Sequence, residues 1–143
     1  MSRVYIDMPN KFIYSTEIPT RKNDMYLDLH VTFDAMASFV MEAYHRFLVD
    51  NGYILTHIED TPIIMSNFTI DYKSEARYPD VLRFEVAVAN FTSTAFDIFI
   101  RISRNEGKED VAHVRVCDVF FDYQNKKTLS IPAKFREKFE PKE

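Results

Sequence analysis

The period of apolar positions changes twice along the chain. Over residues 12 to 21 it is two. Phe12, Tyr14, Thr16 and Ile18 fall on one face and Ile13, Ser15 and Glu17 on the other, which predicts a first strand with Pro19 near its end. From Thr32 onward the period becomes helical: Phe33, Met36, Ala37, Val40, Ala43, Tyr44, Phe47 and Leu48 follow the i, i+3, i+4, i+7 template for about five turns. Thr32 is placed to cap this helix, Asp34 sits in its first turn where the macrodipole favours an anion, and Asn51-Gly52 supplies a left-handed stop. The rest of the chain reads as strands rich in β-branched and aromatic residues, at 62–76, 81–92, 95–104 and 111–123. Between them lie turn-like breaks at Tyr78-Pro79-Asp80, Ser93-Thr94 and Asn105-Glu106-Gly107-Lys108. Short breaks favour antiparallel neighbours, so these four strands are expected to form a meander, with the first strand added at an edge or in the middle. The charged tail "IPAKFREKFEPKE" holds one short helix at most and is expected to fray.

These elements describe an α+β domain, one unit over residues 1–143, with a helix covering one face of an antiparallel sheet. Strands long enough to wrap a helix leave open edges, and pairing edge to edge with a second copy closes them, so a homodimer or homotetramer is expected. Thirteen Phe and eight Tyr provide the bulk to fill a broad sheet surface. Lys and Arg number 18 against 22 Asp and Glu, a net charge of −4 with no basic cluster, so nucleic acid is an unsuitable partner. A lone Cys117 excludes an internal disulfide, and no Cys/His grouping has metal-ligand spacing. The first residues lack a signal-peptide core, and no apolar run approaches the roughly 18 residues of a membrane span. A cytoplasmic location without membrane contact is expected.

The stretch "RKNDMYLDLHVTFDAMASFVMEAYHRFL", residues 21 to 48, joins a polar cluster directly to the helix. Arg21, Asp24, His30 and Asp34 precede or open the helix, and "EAYHRFL" begins at Glu42 within it. Further on come "DYKSEARYPDVLRFEV" (71 to 86) and "VFFDYQNKKTLSIP" (119 to 132). From about Phe12 to Arg136 this order resembles the hot-dog fold, in particular the acyl-CoA thioesterases related to the 4-hydroxybenzoyl-CoA thioesterase family. The resemblance implies an antiparallel five-stranded sheet wrapped around one long central helix. The family's first-strand Arg, loop Asp, Gly-His pair and helical Glu-Ala-Arg are matched by Arg21, Asp24, His30 and the Glu42 segment. Its "Y-x-x-E-x-x-x-G-D-x-L" turn is matched at 72–82. Three positions depart from the pattern. Asp28 and Leu29 stand where the family keeps glycine before its His, Tyr26 where it often has a second Asp or an Asn, and Tyr44 where it has the helix Arg.

Thioester hydrolysis needs a carboxylate to attack the carbonyl or activate water, and donors for the oxyanion, often backbone N–H groups at a helix N-terminus. The resemblance points to Asp24 as nucleophile or general base and to the backbone near His30 to Thr32 as the oxyanion site, with His30 polarising the carbonyl or orienting the acid. Asp34 is also a first-turn partner of the helix dipole. Glu42 either pairs with Arg46 one turn on or supplies the base, as an acidic residue on this helix does in some hot-dog thioesterases. Lys73, Arg77 and Arg101 are candidates for the CoA phosphates. No metal or separate cofactor is expected, because CoA is part of the substrate, and acyl carrier protein is an alternative carrier. His45, His57, His113 and Cys117 read as structural. The leading expectation is an acyl-CoA thioesterase acting on an acyl or aroyl thioester. The alternative is a non-catalytic hot-dog protein that binds acyl-CoA or acyl carrier protein, or serves as an oligomeric scaffold.

Overall fold

The computed structural model describes residues 4–27 and 29–142. The elements run β1 (Tyr14–Pro19), a 3-10 turn at Lys22–Asp24, α1 (Phe33–Asp50), β2 (His57–Ile58), β3 (Thr61–Tyr72), β4 (Val81–Ala89), β5 (Ala95–Arg104), β6 (Glu109–Asp122), β7 (Lys127–Thr128) and α2 (Ala133–Phe139). All strand pairs are antiparallel, in the order β1-β4-β5-β6-β3-β2, with β7 paired to β6.

The meander holds for β4, β5 and β6 only, because β3 pairs with β6 and not with β4. The reason lies in residues 73–80. They read as a simple break, yet the Val31 N–H donates to Ala76 O at 2.7 Å and the Tyr78 N–H to Leu29 O at 3.0 Å, tying the connection to the chain entering α1. A segment held there delivers β4 to β1, away from β3. The count also differs from expectation, with seven strands instead of five, since β2 and β7 are two residues each and too short to show a period.

Helix α1 forms where the apolar stripe and its signals agree. Thr32 Oγ1 accepts the Ala35 N–H at 3.2 Å, and Gly52 closes the other end at φ +83. Its buried residues are Met36, Phe39, Val40, Ala43, Tyr44, Phe47 and Leu48. Phe33, which belongs to the stripe by period, is 72% exposed as the first residue of α1. The helix packs on the face of the sheet formed by Phe84, Val86, Ile98, Ile100, Val114 and Val116, all fully buried. With 18 residues α1 is not the one long helix expected. It shares the core with α2, whose Phe135 is fully buried, so the tail is docked where fraying was expected.

The opposite face of the sheet is polar and internally paired. Arg101 on β5 reaches Glu85 on β4 at 2.7 Å and Asp110 on β6 at 2.8 Å, and His113 lies 2.8 Å from Asp110. Nearby, Arg115 and Asn90 both donate to buried Asp97 at 2.8 Å. Among the described residues no helix is long and apolar enough to cross a membrane.

Candidate active site

The loop between β1 and α1 is built by mutual bonding of its own polar residues. Thr20, buried after Pro19 ends the strand, donates its backbone N–H to Asp80 O at 2.9 Å and its hydroxyl to the same oxygen at 2.8 Å. Arg21 then wraps Asp24. Its backbone N–H reaches Oδ2 at 3.0 Å, its Nε reaches Oδ2 at 3.1 Å and its Nη2 reaches Oδ1 at 3.1 Å. The Asp24 carbonyl accepts the Thr32 N–H at 3.0 Å, so this one residue joins the two ends of the loop. Asp24 is buried, and both its carboxylate oxygens are taken by Arg21.

Beyond it, Met25 and Val31 form a bridge and the Tyr26 N–H donates to His30 O at 3.0 Å, closing a narrow-necked loop. The Leu29 N–H returns to Tyr26 O at 2.9 Å, with Leu29 itself at φ +67. That is the left-handed region, at a position where the resembled pattern has glycine, and a side chain there costs about 1–3 kcal/mol. The rest of the loop supplies that cost through the bonds just given. Asp28, the other position in question, lies outside the described residues.

Between this loop, the start of α1 and residues 72–76 opens a cavity of about 400 Å3 lined by Tyr26, His30, Val31, Phe33, Met36, Tyr72, Lys73, Ser74, Glu75 and Ala76. The His30 ring stands 4.9 Å from that of Tyr26, and its backbone is bridged to Arg77. The lining is largely aromatic and apolar with a few polar groups, the usual make-up of a small-molecule site. The N–H groups of Val31 and Thr32, expected to meet an oxyanion, are bonded to Ala76 O and Asp24 O. The Phe33 N–H, at the start of α1 in the cavity wall, is the next such donor, since the N–H groups of Ala35 and Met36 are bonded to Thr32.

The sequence candidates separate. His30 and Lys73 line the cavity, and Arg77 borders it through its bridge to His30. Asp24 is behind the wall. Asp34 is exposed on the first turn, where the Thr32 hydroxyl and the backbone N–H groups of Asp34 and Ala35 hold its carboxyl below the usual range. Glu42 is paired with Arg46 Nη2 at 2.5 Å, and Arg46 also reaches Thr16 Oγ1 and Glu17 O, so this pair ties α1 to β1. Lys73 Nζ meets buried Asp71 at 2.8 Å. Arg101 is on the polar face of the sheet among Glu85, Asp110 and Gly107 O, away from the cavity. Pattern reading missed Tyr26, Phe33, Tyr72, Ser74 and Glu75 as wall residues, since they converge only through the pairing of residues 29–31 with 76–78.

A family model for the thioesterase-like superfamily matches residues 20–139. The chain belongs to the thioesterase-like superfamily. Solved structures of the same architecture include the PA2801 protein of Pseudomonas aeruginosa, 15% identical with TM-score 0.79, the match covering 90% of this chain and 98% of that one. Another is a 1,4-dihydroxy-2-naphthoyl-CoA thioesterase from Synechocystis, 19% identical with TM-score 0.77, covering 86% and 92%. A third is a Staphylococcus aureus protein solved in complex with CoA, 13% identical with TM-score 0.76, covering 97% and 92%. No curated protein matches the sequence. At these identities the likeness establishes the hot-dog fold of this superfamily member, whose curled sheet holds α1 with its N-terminus beside the His30 cavity.

Proposed function

We propose that the protein hydrolyses an acyl- or aroyl-CoA thioester. The observation that carries this reading is the cavity itself: a largely apolar chamber of about 400 Å3 that opens at the N-terminus of α1 and has His30 in its wall, in a chain of the thioesterase-like superfamily. Tyr26, Phe33, Met36 and Tyr72 suit an apolar or aromatic acyl group, and Lys73 and Arg77 at its side suit the anionic part of CoA. His30 polarises the thioester carbonyl, and the Phe33 N–H at the start of α1 donates to the oxyanion. In this reading Asp24 fixes the loop, with its oxygens committed to Arg21, and the reacting carboxylate comes from the cavity wall.

The same region is where a second copy docks in this reading. Phe33 and Tyr72 in the cavity wall and Leu27 and Leu29 in the neighbouring loop are exposed, as are Ile64 and Met65 where β3 bulges. β2 pairs with β3 at Thr61 and Pro62, and among the described residues no strand pairs with that edge beyond Ile63, which leaves it for a strand of a partner subunit. Sedimentation at micromolar concentration is expected to give a dimer or tetramer mass, and a monomer would rule the edge pairing out.

Free-thiol release from a panel of acyl- and aroyl-CoA esters tests the activity. Turnover of at least one ester well above the uncatalysed rate is expected. If none turns over while the esters still raise the melting temperature, the protein is a binder of CoA thioesters and not a hydrolase.

A further inference from the structure

We propose that Glu75 is the general base of the His30 cavity. The assignment rests on the hydrolase reading and names the carboxylate that the reading requires. Glu75 is the one carboxylate among the cavity's lining residues. Among the described residues near the start of α1, Asp24 has both oxygens on Arg21, and neither Asp34 nor Glu42 lines the cavity.

The position of Glu75 follows from strand-like pairing. The bridge from His30 to Arg77, with Val31 N–H on Ala76 O and Tyr78 N–H on Leu29 O, sets an antiparallel register in which Glu75 comes opposite Thr32, the cap of α1. Glu75 therefore lies across from the residue that caps α1 and two positions from the bridge to His30. Its Oε2 is held by Arg77 Nη2 at 2.6 Å. Arg77 is anchored in turn, its N–H on Asp80 Oδ2 at 2.9 Å and its carbonyl accepting from Asp80 N–H at 2.8 Å and Thr20 Oγ1 at 3.3 Å. The Glu75 side chain is 58% exposed, so water reaches it, and Oε1 has no partner among the described residues.

In the proposed step, Glu75 takes a proton from a water molecule as the water oxygen bonds to the thioester carbonyl carbon. The carbonyl π pair moves onto oxygen, giving a tetrahedral oxyanion. Collapse re-forms the carbonyl and breaks the carbon–sulfur bond, and the proton on Glu75 passes to the departing thiolate. Water and thioester become carboxylic acid and thiol, and Glu75 returns to its ionised form.

The test compares wild type, Glu75→Gln and Glu75→Asp on the best ester of the panel, with binding read by a thioether analogue of that ester that cannot be hydrolysed. Glu75→Gln is expected to lower kcat about 100-fold and to bind the analogue within about threefold of wild type; Glu75→Asp restores part of the rate. A Glu75→Gln variant that keeps kcat within about threefold of an active wild type overturns the assignment and leaves the hydrolase reading standing. A wild type that binds the analogue but turns over no ester overturns both.

Discussion

Phe135→Ala is expected to destabilise the protein by about 3–5 kcal/mol, the range for removing a fully buried Phe from a packed core. The ring is fully buried at the hub of an aromatic cluster, with centroid distances of 4.7 Å to Phe96, 5.0 Å to Phe139, 5.8 Å to Phe91 and 5.9 Å to Phe120. Those partners come from β5, α2, the segment before β5, and β6, so no single neighbour can move in to fill the space. Residues on either side of the ring hold it in place. The Ile131 N–H donates to Ser93 O at 2.9 Å, and Arg136 Nη2 reaches Thr92 O at 2.5 Å with its guanidinium over the Phe91 ring. Urea unfolding followed by circular dichroism measures the loss. A change below about 1 kcal/mol would mean that α2 is an appendage and that the core closes without it.

Why α2 was hard to read is instructive about what a single chain displays. "AKFREKF" spaces Phe135 and Phe139 four apart on an otherwise charged segment, which is the whole of its helical signal. Its burial depends on a pocket made by Phe96 and Phe120, distant in sequence and committed to other strands. Helix α1 and the long strands, by contrast, carry their own periods over nine residues or more, and the expected elements coincide with the observed ones to within a few residues. Strand order was less accessible. Nothing local in residues 73–80 distinguishes a hairpin from a connection stitched to the loop before α1.

The site divides in the same way. The place of His30 in the cavity wall follows from its position in a polar cluster next to a helix start. The direction taken by Asp24 is not legible in the same way, since it is decided by Arg21 three residues earlier and by Thr32 eight residues later. A carboxylate in a loop of this kind has two competing uses, chemistry and loop closure, and sequence spacing is the same for both. Glu75 carries no local signal of a role, because it shares a cavity wall with His30 only through the pairing of two loops far apart in the chain.

Asp118→Asn is expected to stabilise the protein at neutral and alkaline pH while leaving acid stability nearly unchanged. Asp118 on β6 is 1% exposed, opposite Phe96 of β5 and Met65 of β3 in register, and Tyr44 of α1 donates its hydroxyl to Oδ2. Burial raises its carboxyl to about 6 from 3.8, and the Tyr44 hydrogen bond pulls it partly back. The Tyr44 phenol is pushed well above its ordinary value by burial and by the neighbouring carboxylate. A raised carboxyl binds its proton more tightly when folded than when unfolded, so its contribution to stability is fully present below about pH 4 and is lost as pH rises through about 6. The shift corresponds to about 3 kcal/mol between those limits. Asparagine still accepts from Tyr44 but carries no charge to desolvate. The difference between variant and wild type is therefore expected to grow from near zero at pH 4 to about 1–3 kcal/mol at pH 8, and subtracting the two curves cancels every other titrating group common to both. A difference that stays flat across that range would place the proton elsewhere.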